Sequence, residues 1–419
     1  MTTVTPGQEL QASQGQTSGT AAQWEGYLRA DGRKGIRNCL VVVYLVECAH
    51  HVAAEIASPF ANRGVELIGF PGCYPSEYAH KVLSRVTTHP NVGAVLLVSL
   101  GCESFDRARL RAEIAASGRP VELLVIQEIG GTARTIKAGR QWIKSVLPEL
   151  AKVPRCPMEL RDLVVGTICG GSDATSSLTA NPACGLVFDR LVDSGATAIF
   201  EETGELLGCE SLLAERAARP ELADVLRACV EKAARYYATL GHASFAPGNT
   251  EGGLTTIEEK SLGAYLKSGH RPITGVLKPG DLPPSPGLYL LDVVPDGEVR
   301  FGFPNIADNA EIVELIACGC HLILFTTGRG SVVGSAISPV IKICANPETY
   351  ARMKSDMDIN AGEVLTGKST LEEVAERIWQ FMIAVAGGKQ TVSEALGHRE
   401  FILTYKTFEP LGPACLPTV

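Results

Sequence analysis

Four short apolar runs in the first third of the chain, each closing in a small polar loop, restrict this sequence to few architectures. They cover residues 39–46, 65–70, 92–100 and 121–126, and helical stretches lie between them. Their length and Val, Leu and Ile content read as buried strands. Strands that alternate with helices predict a parallel, doubly wound sheet. The pattern resumes at residues 163–168, 196–200, 288–292 and 321–325, so the expected fold is α/β with two Rossmann-like domains. A Pro- and Lys-bearing connector at residues 148–157 divides them, giving expected domains at 23–155 and 156–405 between tails at 1–22 and 406–419.

Composition narrows the function. A formal charge of -8 with 20% charged residues offers no basic field for nucleic acid or an anionic membrane. The longest apolar runs are strand-length, far short of a bilayer span. Residues 1–22 are rich in Thr, Gln, Ser and Gly and lack the basic start and apolar centre of a secretion signal. A disordered tail on a cytoplasmic protein is therefore expected. The 13 cysteines are odd in number and irregular in spacing. Most lie in or just after apolar runs, where a reduced thiol acts as a small hydrophobe, so a disulfide framework is not expected. No CxxC pair suggests a zinc ribbon.

Ligands of doubly wound sheets bind at the carboxyl ends of strands, near the switch in strand order. Cys48, Cys73 and Cys102 each follow such an end, and Cys169 repeats the position in the next unit. The four thiols either fill crowded turns or converge on a soft or borderline metal such as iron. From Cys169 the chain runs through Gly170, Gly171, Ser172 and Asp173 to Asn181 as a strand-to-helix loop. Its glycines allow close approach to a ligand and the helix start favours an anion; equally, Ser172, Asp173 and Asn181 suit helix capping. The carboxylates at 201–205, Glu202 among them, read as metal ligands or as solvated loop charges. A second Gly-rich loop at 246–253 carries Asn249. The helix after it carries Lys260, read as a desolvated base with a lowered pKa or as an exposed lysine paired with Glu. Thr327 and Arg329, among glycines at a strand end, suit bidentate binding of a carboxylate. Residues 356–362 fail the calcium-loop pattern, because Ala361 stands where the loop glycine belongs.

Taken in order, these segments resemble the altronate and galactarate dehydratase family of sugar-acid hydro-lyases, which also includes the large subunit of sulfolactate sulfo-lyase. The resemblance spans residues 26–401. It rests on Gly26-Tyr27-Leu28-Arg29, Asp31-Gly32-Arg33, Arg37-Asn38, Leu100-Gly101-Cys102-Glu103, Cys169-Gly170-Gly171-Ser172-Asp173 and Thr179-Ala180-Asn181-Pro182. It continues through Pro247-Gly248-Asn249, Gly252-Gly253, Glu259-Lys260-Ser261-Leu262-Gly263, residues 325–330 and residues 358–362. The resemblance implies loss of water from a 2,3-dihydroxy acid to give a 2-keto-3-deoxy acid through an enol, with activation by Fe2+ and sometimes Mn2+. On that reading Cys48, Cys73, Cys102 and Cys169 hold the iron, an iron-sulfur cluster being the alternative. Arg329 clamps the carboxylate, Lys260 or Glu202 moves protons, and Ser172, Asp173, Asn181, Asn249 and Thr327 bind the small-molecule sugar acid. Two departures matter. A short polar tail stands where family members often carry a small domain, so a small partner subunit is expected, along with homo-oligomerisation. The turn at 71–76 keeps Cys73 but lacks polar residues associated with sugar-acid members. A smaller substrate, and elimination of sulfite from a short 2-hydroxy acid, are thus the alternative.

Overall fold

The computed structural model describes residues 23–240, 245–297 and 307–406. The expected tails lie outside these residues except for Lys406. In chain order the first part contains β1 (Gln23–Leu28), β2 (Lys34–Gly35), β3 (Cys39–Tyr44), α1 (Glu47–Ala57), β4 (Val65–Gly69), α2 (Glu77–Thr87), β5 (Val92–Ser99) and α3 (Arg107–Ala116). β6 (Val121–Val125), α4 (Ile126–Ile129), α5 (Thr132–Leu150) and β7 (Arg155–Glu159) follow. Strands β3 to β6 form a four-stranded parallel sheet in the order β4-β3-β5-β6. The order therefore reverses beside β3.

The second part contains β8 (Val164–Cys169), α6 (Ala180–Asp193), β9 (Thr197–Glu201), α7 (Glu210–Glu215), α8 (Pro220–Leu240), α9 (Pro247–Glu251), α10 (Ile257–Lys267), β10 (Ile273–Leu277) and β11 (Gly287–Leu291). It continues with α11 (Asp308–Ala317), β12 (Leu322–Thr327), β13 (Val340–Cys344), α12 (Pro347–Arg352), β14 (Ile359–Asn360), α13 (Leu371–Ala386) and α14 (Val392–Leu396). Its seven strands are all parallel, in the order β10-β11-β9-β8-β12-β13-β14, so the order reverses beside β8. The α/β fold with doubly wound parallel sheets is thus the one the apolar runs predict.

Two features depart from the sequence reading. A small antiparallel sheet, β2-β1-β7, is built from segments that carry no strong strand pattern. The expected connector at 148–157 is also partly regular. Pro148 lies in the last turn of α5, where its missing N–H removes a single helical bond, and the expected cut at residue 155 falls inside β7. The Arg29 and Asp31 motif serves this region as a structural tie. Arg29 donates to the Pro90 carbonyl, to Asn38 Oδ1 and to the Arg37 carbonyl, while Arg119 pairs with Asp31.

One apolar core unites the two large sheets. Val41, Val43, Val95 and Leu97 of the four-stranded sheet share a cluster with Ile168, Ile199, Ile323 and Phe325 of the seven-stranded one. Burial of this kind contributes about 25 cal/mol per Å² of apolar surface, so this shared layer holds the facing sides of the two sheets together, while the outer face of each packs against its own helices.

Candidate active site

Parallel pairing sets the register of β8 and β9, with Thr167 opposite Phe200. Two residues further on, Cys169 ends β8 and Glu202 follows β9, so the register itself brings a thiol beside a carboxylate. Glu205 enters on the next turn of chain. One donor atom from each of Cys169, Glu202 and Glu205 lies within 4.8 Å of the other two. The group sits where strand order reverses, the position at which doubly wound sheets bind ligands. The same three side chains line a cavity with Tyr237, Asp308 and Glu311.

Helix α10 supplies the counter-charges. Lys260 and Lys267 are seven residues apart, two turns, and so occupy one face. Both are buried. Lys260 Nζ stands 2.5 Å from Glu205 Oε1, and Lys267 Nζ bonds to Glu202 Oε1. The Cys169 thiol donates to Glu205 Oε2 at 3.1 Å, and Ser172 Oγ donates to the Cys169 sulfur at 3.5 Å. Two marks of a functional site fall on Glu202. Its Oε2 is buried without a hydrogen-bond partner, and its φ of 154° is the one positive value on a non-glycine residue among the described residues.

Burial dominates the electrostatics. It pushes the Cys169 thiol well up, and the charges of Glu202 and Glu205 push the same way. It carries Glu202 to about 7 against the pull of Lys267. At Glu205 burial is outweighed by Lys260 and Lys267, and the carboxyl is held below its ordinary value. Asp308 rises to about 6, first from burial and then from Glu205, and Glu311 rises to about 8 from burial opposed by Lys406. Burial also disfavours the ammonium of Lys260, but Glu205 and Cys169 overcome it and the pKa is raised. The reading of Lys260 as a base with a lowered pKa is therefore corrected: it is neither exposed nor neutral, but a buried cation locked to a carboxylate.

The other expected site residues divide. Among the described residues, the four thiols do not form one ligand group for a single ion. Cys169 is buried at the seven-stranded sheet, whereas Cys48, Cys73 and Cys102 are exposed at the four-stranded one. Much of the polar loop set holds the loops themselves. Asn249 Nδ2 donates to the Ser172 carbonyl, Asp173 accepts from Thr175 and Asn346, Asn181 Nδ2 donates to the Gly263 carbonyl, and Thr327 Oγ1 donates to the Gly171 carbonyl. Arg329 is half-exposed and pairs with Glu251 at the surface, 2.9 Å away, rather than lining the cavity. Sequence reading missed Lys267, Asp308 and Glu311 and left Glu205 outside the site. The i, i+7 lysine pair on α10 was the available signal for Lys267; nothing local marks Asp308 or Glu311.

The architecture and this site define an α/β protein with a buried thiol, carboxylate and lysine constellation at the carboxyl edge of a parallel sheet. Residues 26–151 match the family described as D-galactarate dehydratase/altronate hydrolase, second domain, and residues 160–408 match D-galactarate/altronate dehydratase, C-terminal. The chain belongs to this dehydratase family. It is 34% identical to (2R)-sulfolactate sulfo-lyase subunit beta of Chromohalobacter salexigens, over 90% of this chain and 96% of that one. It is 30% identical to altronate dehydratase of Escherichia coli, over 90% of this chain and 76% of that one. It is also 32% identical to galactarate dehydratase (L-threo-forming) of the same organism, over 89% and 75%. These relatives are all lyases. No described helix is long and apolar enough to cross a membrane.

Proposed function

We propose that this protein is a hydro-lyase that removes water from a sugar acid such as altronate or galactarate, giving a 2-keto-3-deoxy acid, with a divalent ion held by Cys169, Glu202 and Glu205. The observation that carries the reading is this three-donor group, in which Glu202 Oε2 is buried and unpartnered. One thiolate with two carboxylates suits a borderline ion such as Fe2+ or Mn2+. When bound, such an ion acts as a Lewis acid toward charge that develops on the substrate carboxylate.

The chain's own residues account for the rest. Lys260 and Lys267 hold Glu205 and Glu202 in place and offset their charge. With the thiol protonated, these four charged groups sum to zero. With a thiolate and a divalent cation they sum to +1, which accommodates one substrate carboxylate. Elimination needs a base for the proton alpha to the carboxylate and an acid for the departing hydroxyl. Asp308 and Glu311 face the same cavity with pKa values of about 6 and about 8, so one is mainly ionised and the other mainly protonated at neutral pH. That pairing assigns Asp308 as base and Glu311 as acid. The enol left after loss of hydroxide gains a proton at C3 and becomes the keto acid.

Loss of sulfite from sulfolactate is a second reading, favoured by the match to 96% of the sulfo-lyase subunit. Because that relative is one subunit of its enzyme, a small partner chain belongs in the assay. The test is keto-acid formation from galactarate, altronate and sulfolactate by anaerobic, iron-loaded protein, with sulfite measured in parallel. Cys169→Ala and Glu202→Gln are expected to weaken the affinity of this site for Mn2+, added as the probe to protein without iron or sulfide, by more than the roughly 10–100-fold that follows loss of an outer-shell partner, and turnover with it. Unchanged Mn2+ affinity in both variants would overturn the ligand assignment.

A further inference from the structure

The exposed cysteines of the four-stranded sheet form a pattern that pairing register makes visible. Tyr44 of β3 pairs with Gly69 of β4 and with Val98 of β5. Cys48, Cys73 and Cys102 stand four residues beyond Tyr44, Gly69 and Val98 respectively, past the carboxyl ends of three adjacent strands, Cys48 in the first turn of α1 and the other two in loops. The segments that carry them are stitched together. Glu47 N donates to the Pro71 carbonyl at 3.1 Å, and Ser104 N donates to the Cys73 carbonyl at 2.9 Å. The Cys102 loop is anchored from beneath by buried Glu103, which accepts from Ser99 Oγ and, at 2.8 Å, from Gly101 N. Gly101 adopts φ 125° with the Gln127 amide 2.6 Å from where a Cβ would stand, so this close turn requires glycine. All three thiols are free and exposed.

Three thiols gathered at one sheet edge suit a cluster better than a single ion. Two thiolates on one zinc-like ion, with bonds of about 2.3 Å, stand no more than about 4.6 Å apart. Among the described residues no three of these thiols come that close. Thiols carried just past the ends of three adjacent strands, which lie about 4.8 Å apart, are placed to bind different irons of one cluster.

We propose that Cys48, Cys73 and Cys102 hold a four-iron iron-sulfur cluster through three thiolates, as a ligand group distinct from Cys169, Glu202 and Glu205. Three protein ligands leave the fourth iron to a small oxygen donor, such as a hydroxy-acid carboxylate. The site lies where strand order reverses beside β3, where a small ligand has access.

The test is anaerobic purification followed by reconstitution with ferrous iron and sulfide. The natural chain is expected to bind about four acid-labile sulfides per chain and to show a broad visible absorption band. Cys48→Ser, Cys73→Ser and Cys102→Ser combined should reduce both to under about a tenth, with an unchanged circular dichroism spectrum. Cys169→Ala should retain both. Absence of labile sulfide from the natural chain, or a band that survives the triple substitution, would overturn the proposal. So would a band lost in Cys169→Ala. Because the readout is sulfide and absorbance, failure here leaves the turnover test of the hydro-lyase reading untouched.

Discussion

Glu202 holds a left-handed backbone angle, φ 154°, in a residue type that gains nothing from it, at a cost on the order of 1–3 kcal/mol. What holds it there is Lys267, whose ammonium is almost wholly buried against the carboxylate. Removing one partner of a buried ion pair leaves the other uncompensated, at about 3–5 kcal/mol. Lys267→Met is therefore expected to lose that much stability in urea unfolding of metal-free protein. Lys267→Met with Glu202→Gln should recover part of it; equal losses in the single and double variants would contradict the pairing. A second residue-scale prediction concerns His321. Its Nδ1 accepts from Val164 N at 3.0 Å and its Nε2 donates to the Lys34 carbonyl at 2.8 Å, a set that only the neutral ring can make. Burial lowers its pKa below the ordinary 6.5. The unfolded chain thus takes up this proton first as pH falls, so the stability is present above about 6.5 and is lost progressively below it. Glu202, Asp308 and Glu311, whose pKa values are raised, act in the opposite direction over this range, so the share of His321 is read as the difference between the natural chain and His321→Gln, which should shrink between pH 7 and pH 5. His321→Gln should be less stable than the natural chain by about 1–3 kcal/mol at pH 7 and by less at pH 5; a gap that does not change with pH would contradict the assignment.

Helix α10 delivers both lysines, and its seat on α6 is set by a glycine. A Cβ on Gly185 would stand 2.2 Å from the Leu266 carbonyl oxygen, a backbone atom that cannot swing aside. Gly185→Ala should push α10 away from α6 and cost about 1–3 kcal/mol as overpacking. Turnover should fall more than stability does, because Lys260 and Lys267 ride on the displaced helix. Unchanged turnover would show that the lysines tolerate the shift. Elements of this kind were legible in the sequence to very different degrees. The apolar runs that became β3, β5, β8 and β12 are buried along nearly their whole length, so composition alone announced them. β1 and β7 alternate exposed and buried positions and include Gly26 and Pro157, so pairing with each other, not propensity, makes them strands. At the site, Cys169 and Glu202 were readable because strand ends are where such sheets bind ligands. Asp308 and Glu311 were not, since α11 looks like any amphipathic core helix until the fold turns its first turn toward the cavity. Arg329 misled for a related reason: flanking glycines announce a free backbone, but they do not say which way a long side chain turns.

The shared core makes a claim about the whole molecule. Because one buried cluster joins the facing sides of the two large sheets, the chain should unfold as one unit despite its two family-matched segments. A buried network crosses the same boundary. Glu314 on α11 is wholly buried, accepts from Tyr78 of α2 at 2.5 Å, and takes both 2.8 Å bonds from Lys406 near the end of the described chain. The carboxylate thus ties the first part of the chain, the second part and the C-terminal segment at one point. Urea unfolding followed by Trp fluorescence reads both parts, because Trp142 lies on α5 and Trp379 on α13. The fluorescence and far-ultraviolet circular dichroism transitions should coincide, as a single cooperative unit requires. Lys406→Met should shift both together by about 3–5 kcal/mol, since it leaves Glu314 buried and unpaired, and Lys406→Met with Glu314→Gln should shift them less. Two separated transitions in the natural chain would mean that the outer core of each sheet sustains it without the shared layer. A Lys406→Met shift confined to one probe would mean that the Glu314 network stabilises one part of the chain without joining it to the other.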